Sequence, residues 1–166
     1  MPLQAQGEFV LVREELESAL ELSGQPVKRG TMAHRHIVYM MLSDAAAQCR
    51  DVAALSQYTS SLEELAVRDG HQPYLAVAHR SWGVAHRLNG AYDEAEARLN
   101  QALALFQERQ AHWQIGRTLL ECAELALARS EKSTAREFFS RALAEFESLK
   151  ARPDVERTRA ALQAQA

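Results

Sequence analysis

Cysteine is scarce in this chain. Cys49 and Cys122 stand far apart among helix-forming residues. No CxxC and no Cys/His cluster with zinc spacing occurs, which excludes a disulfide framework and the usual zinc sites. The pair reads as two buried thiols in a reducing compartment. Long apolar runs are also missing. The longest, Ile37 to Leu42, is far short of the ~18 residues that span a bilayer. The opening Met1-Pro2-Leu3-Gln4 lacks a charged stretch followed by an apolar one, so no secretion signal is expected. Charge of one sign is lacking as well: the net charge is -3 and the pI about 6.1, with no basic footprint for nucleic acid. The expectation is a soluble, cytoplasmic domain that binds neither membrane nor nucleic acid. Its 166 residues suffice for a single domain with a sizeable core.

Only seven glycines and four prolines occur, and most punctuate the chain. Gly7, Gly24 with Pro26, Gly30, Gly70 with Pro73, Gly90 and Pro153 sit at breaks between periodic segments. Gly83 and Gly116 instead lie inside helical patterns. Between breaks the apolar spacing is three and four, which predicts helix throughout and no strand. Eight helices are expected, over 8–22, 31–49, 52–68, 73–88, 92–109, 112–129, 132–150 and 153–164. Thr31 and Asp51 are plausible N-caps, and Pro153 suits a first helical turn.

What is present is repetition. Ala95, Leu99, Ala102, Leu103 and Phe106 recur forty positions later as Ala135, Phe139, Ala142, Leu143 and Phe146. Leu75, Ala85, Leu88 and Gly90 recur more loosely as Ile115, Leu125, Ala128 and Ser130. Leu62, Ala102 and Ala142 share the same spacing. The first helix fits with three extra residues, which fall in the Gly24–Gly30 connection, where insertions cost little. A fixed period of this size predicts an α-solenoid: a superhelical array of antiparallel helix hairpins, each unable to bury its apolar face alone.

Residues 76–106 contain His79-x-x-Trp82-Gly83-x-x-His86, then Gly90-Ala91-Tyr92-Asp93-Glu94-Ala95, Leu99 and Ala102-Leu103. In this they resemble the tetratricopeptide-repeat family. The family pattern is W-x2-L-G-x2-Y followed by A-x3-F. Gly83 takes the small position where two helices of a hairpin meet. The period of forty is longer than the family's thirty-four, and His79 and His86 stand where large aromatics are usual. It looks like the longer-repeat variety found in C-terminal sensor or scaffold regions of bacterial multidomain regulators. The resemblance implies one domain over 1–166. It comprises an unpartnered B-type helix (8–22), repeats at 31–68, 73–109 and 112–150, and a capping helix at 153–164. The first helix reads as an N-terminal cap or as the cut edge of a longer array, with the second favoured.

The resemblance also implies a right-handed stack whose A helices line a concave groove. Groove positions fall on Ile37, Met40, Asp44 and Gln48, on Val77, Arg80, Val84 and Arg87, on Arg117, Leu120, Glu124 and Leu127, and on Arg157. Of these, Met40, Asp44, Val77, Arg80, Val84, Arg87, Arg117, Leu120, Glu124 and Arg157 are the candidate peptide-binding residues. Arginines there suit a peptide carboxylate or acidic side chains through forked hydrogen bonds. The alternative is a set of solvated face residues. The run Ile37–Leu42 is apolar around the whole helix, and is covered by neighbours in this chain or contacts a second copy or a missing domain.

Catalytic patterns are missing. No G-x-S-x-G, phosphate loop or dinucleotide fingerprint occurs. His34 and His36 are two apart and point to different faces, while His79 and His86 share one and would need a third metal ligand. Glu63-Glu64, Asp93-Glu94 and Glu121 with Glu124 read as helix-start or surface carboxylates. The expectation is a non-catalytic module with no cofactor that docks a protein or peptide segment. The alternatives are a self-associating module, such as a homodimer, and, more remotely, a small-ligand or metal-binding helical protein.

Overall fold

The computed structural model describes residues 8–22 and 32–165. These form eight helices and no strand: α1 (Phe9–Leu22), α2 (Met32–Gln48), α3 (Val52–Arg68), α4 (Gln72–Leu88), α5 (Tyr92–Glu108), α6 (His112–Ala128), α7 (Lys132–Ser148) and α8 (Arg152–Gln163). The chain is an all-α array of antiparallel hairpins. Consecutive helices pack on one another, and α4 also packs on both α2 and α6. The Gly24–Gly30 connection and the Thr31 cap lie outside the described residues. Asp51 is a true cap, its Oδ1 accepting a hydrogen bond from the Ala54 N–H at 3.1 Å.

The turns explain the even spacing. From Arg50 onward a residue with positive φ stands at every twentieth position: Arg50, Gly70, Gly90, Gln110, Ser130 and Lys150. Each ends a helix in the same way. At Gly70 the His71 N–H reaches back to the Ala66 carbonyl (2.7 Å) and the Gly70 N–H to that of Val67 (3.2 Å). The same pair of bonds closes the other five turns. This is the Schellman arrangement, and its left-handed residue is normally glycine because a Cβ costs about 1 kcal/mol there. Four turns bear that cost. Gln110→Gly is therefore expected to stabilise the chain by about 0.5–1 kcal/mol, read as a raised urea midpoint.

The forty-residue recurrence is a recurrence of burial. Ala95, Ala135, Leu62, Ala102, Ala142 and Phe146 have no exposed surface, and Leu99, Phe139 and Phe106 almost none. Gly83 and Gly116 sit where hairpin partners meet. A Cβ on Gly83 would lie 2.6 Å from the Leu99 side chain and 3.3 Å from the Ala95 carbonyl oxygen. On Gly116 it would lie 2.7 Å from the Phe146 ring. The two glycines are not equivalent in the repeat. Ala123 takes the place of Gly83 in the next hairpin, and Ala76 takes that of Gly116 in the preceding one.

The terminal helices differ from the rest. Glu156, Arg159 and Gln163 of α8 are exposed, where the corresponding Gly116, Leu119 and Ala123 of α6 are buried. Helix α1 is tied down by Arg13, which donates to Asp51 (2.7 Å), and by the Tyr58 hydroxyl, which donates to Glu17. Its first turn leaves Val10 and Leu11 about half exposed. Cys122 is buried as expected and burial pushes its thiol up to about 12, but Cys49 is exposed. The correction has a simple cause: Cys49 follows the last residue of α2 and belongs to the turn.

Candidate binding groove

The A helices α2, α4, α6 and α8 share one side of the array, and two adjoining clefts open on it. One is polar, about 330 Å³, and receives Arg87 and Val84 from α4, Arg117, Leu120 and Glu124 from α6, and Arg157 from α8. The other is more apolar, about 540 Å³, and is walled by Phe9, Met40, Met41, Trp113 and Pro153, with Asp44 and Asp154. Gln48, Arg117 and Arg157 border both, so the clefts form one continuous groove. Met40, Asp44, Val84, Arg87, Arg117, Leu120, Glu124 and Arg157 line one cleft or the other, Val84 from a buried position at 5% exposure.

Val77 and Arg80 do not. Val77 is 2% exposed and belongs to the core, and Arg80 is 3% exposed. The physical reason is the position of α4. Because α2 and α6 both pack on it, the groove-facing residues of its N-terminal half are roofed over. Arg80 Nη1 donates to Gln114 Oε1 (2.5 Å), its guanidinium lies 5.6 Å from the Phe106 ring centroid, and Nη2 has no hydrogen bond. Asp44 Oδ1 stands 3.9 Å from that nitrogen, while Asp44 Oδ2 accepts from Arg117 Nη1 at 3.0 Å. Burial pulls the Arg80 pKa down to about 10, and the Arg117 charge adds to this, with Asp44 opposing. Burial also opposes the charge on Arg117, but Asp44 beside it, helped by Glu121, outweighs burial and raises its pKa.

The other groove arginines hold their carboxylates through single nitrogens. Arg87 Nη2 donates to Glu121 (3.1 Å) and Arg157 Nη2 to Asp154 (3.0 Å). Arg87 Nε is buried with no partner. Trp113 is 42% exposed, donates from Nε1 to Asp154 (3.1 Å), and carries the Arg117 guanidinium 5.0 Å from its ring centroid. The run Ile37–Leu42 divides its faces. Leu42 is fully buried, Val38 and Tyr39 are half-buried, Met40 and Met41 turn to the groove, and Ile37 stays 39% exposed.

Phe9, Met41, Trp113, Pro153, Arg50 and Glu121 were not anticipated as groove residues. Trp113 and Pro153 could have been found, since each stands four residues before a predicted groove arginine, on the same helix face.

The histidines have local partners. Arg98 Nη1 lies 2.8 Å from His79 Nδ1 and also donates to Glu63 (2.7 Å), which accepts from Trp82 as well. Arginine can only donate, so Nδ1 accepts and the ring proton sits on Nε2. His86 stacks on Trp82, and His36, 2% exposed, stacks on Tyr74. The side chain of His34 lies outside the described set. Among the described residues no group of three His, Cys, Asp or Glu could hold a metal.

Burial, reinforced by Arg98, lowers the His79 pKa below 6.5. The unfolded chain therefore takes up this proton before the folded one does. Stability should be level in His79 above about pH 6.5 and fall as pH drops below it. His79→Gln should flatten that acid limb relative to the parent, as read from urea midpoints at pH 7.5 and 5.5.

No protein-family model and no curated protein sequence matches the chain. Among solved structures, BtubC (BKLC) from P. vanneervenii is similar, with a TM-score of 0.59 and 16% identity. The match covers 98% of this chain and 74% of that one. At this identity the likeness is one of fold, an all-α helical array.

Proposed function

We infer that this chain is a non-catalytic interaction module of tetratricopeptide-like type that docks a peptide or protein segment in the groove of its A helices. One observation carries the reading. An exposed Trp113 stands with Met40, Met41 and Phe9 in a cleft that runs without a break into a cavity of arginines. Apolar anchors beside cationic forks are what a segment with mixed side chains requires. The sequence resemblance supports a place in a bacterial regulatory or signalling protein, as scaffold or sensor, in the cytoplasm. Among the described residues no helix is long and apolar enough to cross a membrane.

Panning a random peptide library on the immobilised full chain is expected to enrich a consensus. Trp113→Ala with Arg157→Glu should weaken the selected peptides by about tenfold or more. Helicity should be unchanged, because both side chains are exposed. No enrichment, or peptides indifferent to both substitutions, would remove the reading. The second reading is self-association, favoured by the exposure of Val10, Leu11 and Ile37. Light scattering across a concentration series separates the two: a stable dimer supports assembly.

A further inference from the structure

The polar cavity has a property that a simple peptide carboxylate does not use. Arg50 from the α2–α3 turn, Arg87 from α4, Arg117 from α6 and Arg157 from α8 surround it. They arrive from separate elements and therefore from different directions. A guanidinium offers five N–H donors in a planar fork. Here Arg87, Arg117 and Arg157 each give one nitrogen to a carboxylate within hydrogen-bond distance. Arg87 Nε is buried without any partner. Most of the donor capacity around the cavity is therefore unspent.

A planar carboxylate engages one fork. A tetrahedral phosphoryl group has three terminal oxygens and takes donors from several sides at once. The charge agrees. The cavity lining sets Arg50, Arg87, Arg117 and Arg157 against Glu121 and Glu124, an excess of two positive charges, while Asp44 and Asp154 of the adjoining cleft pair with Arg117 and Arg157. A phosphomonoester carries about -1.5 to -2 at neutral pH.

Resting on the groove reading above, we propose that the polar cavity is a phosphoryl subsite, and that the segment docked in the groove carries a phosphorylated serine or threonine. The occupant is a protein segment because the cavity has no closed wall toward the apolar cleft. Arg117, Arg157 and Gln48 border both, so a phosphoryl group seated among the arginines places the neighbouring side chain against Trp113 and Met40.

The test uses the full chain and three degenerate peptide libraries that differ at one fixed central residue: phosphoserine, glutamate or serine. The phosphoserine library should be enriched, and its selected peptides should bind about tenfold tighter than their glutamate versions. Arg50→Gln with Arg157→Gln should erase that advantage while the helical spectrum stays unchanged, since both residues are exposed. Adenosine monophosphate should compete only weakly. Equal enrichment of the glutamate and phosphoserine libraries overturns the phosphoryl subsite and leaves the groove reading standing. Binding of the nucleotide as tight as that of the peptides overturns the segment and leaves a small-molecule site. No enrichment from any library removes both readings.

Discussion

Asp44→Ala should lower the stability of the chain by about 3 kcal/mol, a large loss for one side chain on a groove wall. Asp44 sits between Arg117 at 3.0 Å and Arg80 at 3.9 Å. Arg117 keeps some contact with water and lies in the field of Glu121. Arg80 also feels Glu121 but is nearly sealed from water: it is 3% exposed and one of its terminal nitrogens makes no hydrogen bond. Removing the carboxylate strands a buried cation, and that stranded charge dominates the cost. Arg80→Met tests the argument, because an apolar chain of similar length abolishes the charge that needs Asp44. Arg80→Met alone should be close to neutral or stabilising, and in the Asp44→Ala background it should restore about 2 kcal/mol. Urea unfolding of the four proteins measures the coupling. Strictly additive losses would mean that the two groups do not interact.

Gly116→Val is expected to destabilise by about 3 kcal/mol. Helix propensity favours the opposite sign, since glycine in a helix is worse than valine by a few tenths of a kcal/mol. Packing decides the outcome. The first added carbon would stand 2.7 and 2.8 Å from two atoms of the Phe146 ring. That ring is rigid, has no exposed surface, and lies in the same cluster as Ile115, Leu119 and Ala142. It has nowhere to turn. Phe146→Leu, which shortens the opposing side chain, should recover part of the loss when combined with Gly116→Val. It should cost stability alone through the cavity it leaves. A shift of the urea midpoint upward in Gly116→Val would show that the hairpin is looser than its contacts indicate.

The architecture was readable because its cause is local and repeated. Apolar residues at spacings of three and four, with Gly70 and Gly90 at helix ends, place most boundaries within a residue or two. Arg50, Gln110, Ser130 and Lys150 hold the same left-handed conformation. Nothing in those side chains announces it, and the even spacing of twenty is the signal that would have. The groove was readable only in part. Met40, Asp44, Arg87, Arg117, Leu120, Glu124 and Arg157 could be placed by carrying positions from hairpin to hairpin. That method assumes every hairpin is equally exposed. It fails at Val77 and Arg80, because α4 is covered from both sides while α8 is covered from one. Pairing was not readable at all: Asp44 and Arg117 are 73 positions apart, and their meeting depends on the rotations accumulated between α2 and α6.

The reach of Asp44 also bears on stiffness. An array whose hairpins touch mainly their neighbours behaves as a coil spring, since small rotations at each junction add up and the pitch is soft. The Asp44–Arg117 pair bypasses α4 and joins α2 directly to α6, so it acts as a strut across one hairpin of the array. The groove is then braced by an ion pair whose arginine side chain is 22% exposed. Its carboxylate is 14% exposed, and dissolved ions screen a contact so shielded far less than one between surface charges. The strut should therefore keep its stiffness over the ordinary range of salt, where exposed ion pairs have already lost most of theirs.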